Sequence, residues 1–497
     1  KRRKTVLKSL KKLKIHCSKD AVPNIALLGS GGGQRAMVGL LGSLVQLDKA
    51  GLLDCILYLS GVSGSTWCMA SLYQEPNWST KLETVKDQII KRLSGPKVSW
   101  GDVFINEHRV TGHRNKHKND PFPIYTVIDK QCKQNREGDP WFEISPHEAG
   151  YSLTGAFVKT SSFGSQFDNG CKIKDQPEMD MLYLQALCGS ALADGDENKN
   201  YIWPFSILFV QFVFSSTDPN SPPADKCSQV LMDLVDMNLS VLNGIDPFDL
   251  HKSIRTNLNG ELFLKQKSAY FSSGKLNLAD KEAAKLHMRK YTLDICIYSD
   301  ECVCIIDVCF SICKCAVWWI WGTKYDFLHN MTDKTVPRAL LESETRDYID
   351  AGLLLNSPYF SVLREERDID LIVSLDFSDG DPFMTVREAA ETCKKLKIPF
   401  PELNIPSEDV KKPNDFYVFK GKNAPTVIHI PLFNVVNCGD DIDTWRYKYG
   451  TFSFSYSAEM ITKLMEVAGK NISNNREKLL KQIHAAIGQK HNKQHCV

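Results

Sequence analysis

Hydrophobic and polar residues alternate along the chain in a pattern that predicts strands and helices in turn. Apolar runs at 24–30 and 55–60 lead into glycine and serine, which is typical of short buried strands. Residues 34–50 have the periodicity of a helix, and a second helix is expected over 64–73. A later apolar run, 369–377, predicts another buried strand. This alternation indicates an α/β fold with a central sheet.

The first 20 residues have a pattern of their own. Eight of the first 14 are lysine or arginine, and four apolar side chains recur among them at helical spacing: Val6, Leu7, Leu10 and Leu13. We therefore predict a basic amphipathic segment over residues 1–20. Two interpretations stay open, because such a helix can bind an anionic membrane surface or can pack its apolar side chains on the domain beside it.

The middle of the chain is less regular than its two ends. Residues 194–200 and 215–226 are polar and bracket an aromatic run, which is typical of an insertion over a core. Six cysteines follow at Cys296, Cys302, Cys304, Cys309, Cys313 and Cys315. They contain no C-x-x-C pair, so we expect free thiols there and no metal site.

Composition narrows the class of protein. An apolar content of 43% with 24% charged residues is that of a soluble globular protein, and a net charge of +2 gives no case for binding nucleic acid. The basic N-terminus has no apolar core of a signal peptide after it, and no apolar run reaches the roughly 20 residues that span a bilayer. We expect a cytoplasmic protein whose 16 cysteines are mostly reduced.

A candidate nucleophile lies in the pentapeptide Gly61-Val-Ser-Gly-Ser65. It follows a predicted strand and precedes a predicted helix, which is the context of a nucleophile elbow. Such a sharp turn needs small residues beside the serine, and Gly61, Gly64 and Ser65 meet that need. We take Ser63 as the candidate nucleophile, while an ordinary Gly/Ser turn is the alternative for this pentapeptide on its own.

A glycine-rich turn joins the first predicted strand to the first predicted helix, with the sequence Gly29-Ser-Gly-Gly-Gly-Gln-Arg35. Amides at the start of a helix have no partner within it, so those of Gly32 and Gly33 could face a developing negative charge as an oxyanion hole. One such donor is typically worth about 3 kcal/mol of transition-state stabilisation. Arg35 could add a cationic contact for a phosphate. A plain strand-to-helix turn is the alternative.

The same turn also fits a pattern for dinucleotide binding, Gly31-x-Gly33-x-x-Ala36. That function requires an acidic residue at the end of the second strand, whereas this chain has Ser60-Gly-Val-Ser63 there. A Walker loop is excluded because no Gly-Lys-Ser/Thr follows the glycines. A nucleotide-dependent oxidoreductase is therefore the weaker alternative.

A nucleophilic serine needs a base, yet none of the 12 histidines lies in a triad motif. His108, His113 and His117 lie in a basic polar stretch, which predicts a solvated surface. The better candidate is Asp350, because the small residues Ala351 and Gly352 after it permit a close turn. A lone Asp-x-Gly indicates only a turn.

Together these segments resemble the cytosolic phospholipase A2 family, and specifically its gamma type. The resemblance is carried, in chain order, by Gly29-Ser-Gly-Gly-Gly-Gln-Arg-Ala36, Ser60-Gly-Val-Ser-Gly-Ser-Thr-Trp67, Glu143-Ile-Ser-Pro146, Phe163-Gly-Ser165, Asp350-Ala-Gly352 and Ser374-Leu-Asp-Phe-Ser378 with Gly380-Asp-Pro-Phe383. It implies a patatin-like lysophospholipase domain over residues 21–497, with a central mixed sheet, flanking helices and an inserted lid region at 194–318.

The resemblance also implies how the residues act. Ser63 would attack an ester carbonyl and Asp350 would take its proton, so that an acyl-enzyme forms without histidine, metal or cofactor. Gly32 and Gly33 would form the oxyanion hole, while Arg35 and Arg367 would steady the phosphate and the developing charge. A carboxylate in water is a poor base for a serine, so we predict that Asp350 is largely buried.

The implied activity is hydrolysis of the sn-2 acyl ester of glycerophospholipids, with lysophospholipids as second substrates. Calcium independence is expected because about 20 residues ahead of the catalytic region leave no room for a calcium-binding domain. The implied location is the cytoplasm with peripheral binding to intracellular membranes. Cys496 is second from the end, which departs from a prenylation motif. The alternative is a catalytically inactive phospholipid-binding protein.

Overall fold

The computed structural model describes residues 1–94, 109–191, 233, 236–237, 240–241, 245–257, 291, 322–451 and 456–495. The chain divides into two compact units, one of residues 1–189 with 323–497 and one of residues 190–322. The expected insertion at 194–318 falls within the second unit, and the cysteine-dense stretch lies outside the described residues. In the second unit, His251 Nδ1 and the Tyr291 hydroxyl share a hydrogen bond of 2.9 Å.

The first unit contains an 11-stranded sheet and a two-stranded ribbon. The strands are β1 Ile25–Gly29, β2 Tyr58–Gly61, β3 Phe122–Asp129, β4 Trp141–Ile144, β5 Glu148–Tyr151, β6 Ala156–Lys159, β7 Gln166–Asp168, β8 Cys171–Lys174, β9 Thr323–Tyr325, β10 Thr345–Asp350, β11 Leu371–Asp376, β12 Tyr417–Phe419 and β13 Thr426–Pro431. Strands β7 and β8 form the ribbon.

The described helices are α1 Arg2–Lys12, α2 Gly33–Lys49, α3 Gly64–Leu72, α4 Leu82–Ser94, α5 His113–Lys116, α6 Lys130–Asn135, α7 Met181–Cys188, α8 Phe248–Asn257, α9 Tyr359–Val362, α10 Met384–Leu396, α11 Val435–Cys438, α12 Ile442–Lys448, α13 Ala458–Asn474 and α14 Arg476–His495. Helix α8 belongs to the second unit and the others to the first. Within the described residues, no helix has the length and apolar content needed to cross a membrane.

The centre of the sheet is parallel and buried on both faces. Strands β13, β11, β1, β2 and β3 lie side by side and run in one direction. Every residue of β1 and β11 is buried, which is why their sequences are continuous apolar runs. Strands β4, β5, β6, β10 and β12 run antiparallel to their neighbours. The expected α/β fold with a mixed sheet and flanking helices is confirmed.

The predicted elements are present, with one shift of boundary. The strands expected at 24–30 and 369–377 are β1 and β11, and the helices expected at 34–50 and 64–73 are α2 and α3. The apolar run at 55–60 yields only the strand β2, because a 3-10 turn occupies Leu53–Cys55 first. The carboxyl ends of the parallel strands meet at one edge of the sheet, where Gly29 lies opposite both Gly61 and Leu375.

The basic segment is part of the first unit. Val6 and Leu10 of α1 are fully buried in the core, and Arg2 donates to the carbonyls of Leu53 and Ile56 at 2.9 Å each. Those carbonyls precede β2, so α1 lies at the amino edge of the parallel strands, opposite the edge that Gly61 occupies. The packing interpretation of this helix is therefore the one that the structure shows. Its remaining lysines are exposed at that edge: Lys4, Lys8, Lys11 and Lys12.

Helices α2 and α13 touch through their backbones at Gly42. A Cβ added to Gly42 would lie 2.7 Å from the carbonyl oxygen of Met465 and 2.8 Å from its Cα. Backbone atoms cannot move aside as a flexible side chain can, so only glycine permits this close crossing.

We expect Gly42→Ala to lower the free energy of unfolding by about 1–3 kcal/mol, because the new methyl group forces the two helices apart. Gly488→Ala in α14 is the matched control. Nothing lies within 4 Å of its added Cβ. This control should gain about 0.5–1 kcal/mol from helix propensity. Urea unfolding of both variants measures the difference, and equal midpoints would contradict the close crossing.

Candidate active site

The topology of the sheet brings two strand ends together. On β3, Tyr125 pairs with Gly61 of β2 and Val127 pairs with Asp350 of β10, while both also pair with β4 on the opposite side. Strands β2 and β10 therefore share one side of β3. They run in opposite directions along it, so their carboxyl ends face each other. Their last residues are offset by two positions of β3, a distance of about 7 Å.

Ser63 lies on the sharp turn between β2 and α3. Its backbone angles are φ 50° and ψ −121°, a conformation that side-chain-bearing residues rarely adopt, and its exposed fraction is 9%. Strain of this kind costs of order 1–3 kcal/mol and tends to occur at functional sites. Gly61 has no room for a side chain, because an added Cβ would lie 2.8 Å from Met69 Sδ. The turn thus has the geometry that a nucleophile elbow requires.

The glycine-rich turn lies directly against this elbow. A Cβ added to Gly64 would come within 1.8 Å of the Gly33 carbonyl oxygen, so the two turns are in backbone contact. Gly32 and Gly33 have φ values of 148° and 56°, which favour glycine. The described part of the chain offers no hydrogen-bond acceptor to the amide nitrogen of either residue. Both amides lie at the start of α2, where the helix dipole favours negative charge.

Side chains from neighbouring elements hold the glycine-rich turn. Ser65 Oγ donates to the carbonyl of Ser30 at 2.6 Å, and the amide of Phe377 donates to Ser30 Oγ at 2.7 Å. Asn356 donates from Nδ2 to the carbonyl of Gly31 at 3.1 Å and accepts from the Gly31 amide through its own backbone carbonyl at 3.1 Å. The turn is therefore anchored both to the elbow and to the segment after Asp350.

Asp350 ends β10 and is fully buried, as the sequence analysis predicted. Its Oδ1 accepts a hydrogen bond from the amide of Gly352 at 2.8 Å. A Cβ added to Gly352 would lie 3.2 Å from that oxygen and 3.5 Å from Cγ1 of Val62, the residue before the candidate nucleophile. The carboxylate and the elbow therefore line the same small volume.

A buried thiol stands beside the carboxylate. Cys188, the last residue of α7, is fully buried, and α7 packs against both α3 and β10. Burial raises the pKa of the Cys188 thiol well above its usual value, and the charge of Asp350 raises that pKa further. The thiol is thus protonated at neutral pH and does not compete with Ser63 as a nucleophile.

Arg35 is buried, with an exposed fraction of 1%, and its N–H groups donate to acceptors within the protein. It donates to the carbonyls of Phe377 and Tyr449 at 2.6 Å each and to Thr451 Oγ1 at 3.1 Å. Burial alone would raise the pKa of Asp379, but Arg35 at 3.4 Å helps to lower that pKa below its usual value. These contacts fix the start of α2.

Arg367 is also buried and forms a two-pronged ion pair with Glu143, whose side chain is fully buried. It also donates to the carbonyl of Ser361, and Arg364 donates to the same carboxylate at 2.9 Å. The charge run around Arg367 would by itself indicate solvated surface. The reason for its burial is Glu143, to which the sequence analysis gave no role.

The prediction of a solvated surface around the three histidines is wrong for two of them. His113 and His117 are buried, with exposed fractions of 4% and 7%, and both rings contact Tyr73. His117 Nδ1 is 2.7 Å from Asp120 Oδ2, and Asp120 accepts two further bonds from Ser79. The contacts with the Tyr73 ring and the Asp120 carboxylate compensate for the loss of hydration on burial. His108 lies outside the described residues.

Sequence reasoning missed Asn356. The signal in the chain is only Asn356-Ser-Pro358, six residues after Asp350, which indicates a turn before proline. Nothing in that pattern connects Asn356 with a glycine more than 300 positions earlier, and only the sheet brings the two together.

Comparison with known proteins agrees with this geometry. Residues 25–101 match the sequence profile of the lysophospholipase catalytic domain. The chain is 32% identical to cytosolic phospholipase A2 gamma of Mus musculus, over 98% of this chain and 90% of that protein. It is 30% identical to the Homo sapiens protein of the same name, over 98% of this chain and 93% of that one.

The fold is also found among solved structures. The chain superposes on human GIVD cytosolic phospholipase A2 with a TM-score of 0.65 and 20% identity, covering 98% of this chain and 64% of that one. Identity of 30% and more along nearly the full length of two curated proteins goes further than a shared fold. The chain is a hydrolase that belongs to the cytosolic phospholipase A2 family.

Proposed function

We propose that this chain hydrolyses the sn-2 acyl ester of glycerophospholipids, and the ester of lysophospholipids, through a dyad of Ser63 and Asp350. The observation that carries the proposal is the strained elbow at Ser63, which lies against the Gly32-Gly33 turn and shares a small volume with the buried Asp350 carboxylate. Nucleophile, base and oxyanion donors would then come from three strand ends at one edge of the sheet.

In the first half of the reaction, Ser63 Oγ attacks the ester carbonyl carbon and Asp350 takes the hydroxyl proton. The carbonyl oxygen becomes negative and accepts hydrogen bonds from the amides of Gly32 and Gly33. The tetrahedral intermediate then breaks its bond to the glycerol oxygen, which leaves with the proton from Asp350. The acyl group stays on Ser63 as an ester.

In the second half, water replaces the glycerol oxygen. The oxygen of the water molecule attacks the acyl-Ser63 carbonyl while Asp350 accepts a proton from that water. The second intermediate collapses, the fatty acid leaves and Ser63 Oγ recovers its proton. The same three groups act in both halves, so one geometry serves both steps.

A direct carboxylate base is demanding, and two features of the site reduce the demand. A carboxylate withdrawn from water is a stronger base than one in water, and the side chain of Asp350 is fully buried. The oxyanion amides lower the energy of the alkoxide attack itself.

We assign Arg35 and Arg367 to positioning. Arg35 fixes the backbone from which α2 and its amides start, and Arg367 neutralises Glu143 beneath the sheet. A direct contact of either guanidinium with phosphate would require the arginine to exchange buried acceptors that it already holds. The stabilisation of developing charge that the family resemblance implies for these two arginines would then be indirect, through the position of the backbone.

The proposed reaction uses only side chains and amides of the chain, and we propose that it is independent of calcium. Its substrates are membrane lipids, so the enzyme would act from the cytoplasm while bound peripherally to an intracellular membrane. The basic face of α1 lies at the sheet edge opposite Ser63. A membrane that contacts the edge carrying Ser63 would therefore not meet the lysines of α1.

We expect Ser63→Ala and Asp350→Asn each to lower fatty-acid release by at least about 1000-fold, since one removes the nucleophile and the other the base. Release is measured from vesicles of sn-2-labelled phospholipid in the presence of a chelator. Ser71→Ala and Asp347→Asn are matched controls, because Ser71 lies on the helix that Ser63 precedes and Asp347 lies on the same strand as Asp350.

Two outcomes would contradict this proposal. If Asp350→Asn folds and keeps its rate while Ser63→Ala loses it, Asp350 is not the base. If the intact folded chain binds the vesicles and releases nothing, the chain is the catalytically inactive lipid-binding protein that the sequence left as an alternative.

Calcium independence gives a separate prediction. Because no step in the proposed mechanism uses a metal, the rate with added calcium should equal the rate in chelator on the same vesicles. Sedimentation of the vesicles, with bound protein measured in the pellet, should show equal binding in both conditions. A rate that rises with calcium at equal binding would contradict the metal-free mechanism.

A further inference from the structure

We propose that Asn356 is a positioning residue for this reaction, whose side-chain amide orients the peptide between Gly31 and Gly32 and thereby aims the Gly32 amide at the oxyanion. The inference rests on the proposed function and names a residue whose role nothing in the sequence indicates.

Asn356 holds Gly31 from two directions. Its Nδ2 donates to the Gly31 carbonyl at 3.1 Å, and its backbone carbonyl accepts from the Gly31 amide at 3.1 Å. Nδ2 also donates to Ser378 Oγ at 3.1 Å, which fixes the plane of the side-chain amide. The side-chain nitrogen Nδ2 carries two hydrogens, and these two bonds use both.

The carbonyl of Gly31 and the N–H of Gly32 belong to the same peptide unit. No described peptide bond is cis, and in a trans peptide the C=O and N–H point in opposite directions within one plane. A hydrogen bond that holds the Gly31 carbonyl towards Asn356 therefore turns the Gly32 N–H away from Asn356. The proposal requires the developing oxyanion to lie on that side of the peptide.

The turn cannot fix this peptide by itself. Gly31, Gly32 and Gly33 are consecutive glycines, which rotate between conformations at little cost. Ser30 Oγ also donates to the Gly31 carbonyl, at the longer distance of 3.3 Å, but Ser30 belongs to the same turn. Within the described residues, Asn356 supplies the hydrogen bond that reaches this carbonyl from outside the turn.

Asn356 also contacts the turn that carries the base. A Cβ added to Gly352 would lie 3.1 Å from Asn356 Oδ1 and 3.2 Å from Asp350 Oδ1. A Cβ added to Gly31 would lie 2.3 Å from Asn356 Oδ1 and 3.0 Å from the Cβ of Ser63. One side chain therefore lies between the oxyanion turn, the base turn and the nucleophile, and it sets their spacing.

The test compares Asn356→Asp with Asn356→Ala. Aspartate keeps the size of the side chain but turns an acceptor towards the Gly31 carbonyl, so the two oxygens repel and the peptide flips. The Gly32 N–H then donates to the new carboxylate and is no longer available to the oxyanion. In the alanine variant, water can replace the missing donor, so the peptide keeps part of its orientation.

We expect Asn356→Asp to lower kcat on a soluble short-chain ester by about 100-fold to 1000-fold, as for loss of one oxyanion donor. We expect Asn356→Ala to lower kcat less, and KM to change little in both variants. The affinity for a fatty-acyl trifluoromethyl ketone, which forms a tetrahedral oxyanion on the serine, should fall in parallel with kcat. A purely structural role would not produce that parallel.

Asn437→Asp is the matched control. Its Nδ2 also donates to a backbone carbonyl, that of Leu432, but Asn437 takes no part in the proposed mechanism. This control should keep kcat and the inhibitor affinity, and thermal unfolding should show that all variants are folded. If folded Asn356→Asp is as active as the intact chain, or no worse than Asn356→Ala, the positioning role is wrong. If the intact chain itself shows no Ser63-dependent hydrolysis, the proposed function has failed instead.

Discussion

Gly33 and Gly64 lie in backbone contact, so close that a Cβ on Gly64 would come within 1.8 Å of the Gly33 carbonyl oxygen. This contact joins two turns that belong to different strands, and every other feature of the site depends on it. It places the start of α2 beside the strained residue Ser63. It also leaves no room for a side chain, so any other residue at position 64 would separate the amides from the nucleophile.

Buried polar contacts keep this pair of turns in place. Arg35 reaches the carbonyls of Phe377 and Tyr449 from the first turn of α2, and Arg367 forms its ion pair with Glu143 inside the protein. Removing one partner of such a buried pair typically costs about 3–5 kcal/mol, because the other charge is left without compensation. In the proposed mechanism the two arginines act through the scaffold, whose rigidity is the condition for preorganised oxyanion donors.

The parts of the fold that the sequence predicts well are those governed by local patterns. Buried parallel strands give uninterrupted apolar runs, and a strand-to-helix turn with a serine among small residues can be recognised without a structure, so β1, β2, α2 and Ser63 were predictable. The burial of Asp350 followed from the chemistry that a carboxylate base requires. For the strands, the helix and the serine turn one segment contains the whole signal, whereas the base role of Asp350 came from the family resemblance.

The parts that the sequence could not predict depend on distant partners. Arg367 is buried because Glu143 lies beside it. His117 is buried because it hydrogen-bonds to Asp120 and contacts the ring of Tyr73, which is distant in the sequence. Asn356 contacts Gly31 because β10 and β2 meet on the same side of β3 and β1, which leads to Gly31, pairs with β2. Local composition describes such residues as charged or polar surface, and only the pairing of strands reveals what neutralises or orients them.

The central claim is that Ser63, activated by Asp350, is the nucleophile, and covalent labelling tests it most directly. The folded chain is treated with a fluorophosphonate that carries a fatty chain, and the modified residue is located by mass spectrometry of the digested protein. The account predicts one adduct, on Ser63, whose formation is much slower in the Asp350→Asn variant. An adduct on another residue, or equal labelling of the intact chain and Asp350→Asn, would contradict it.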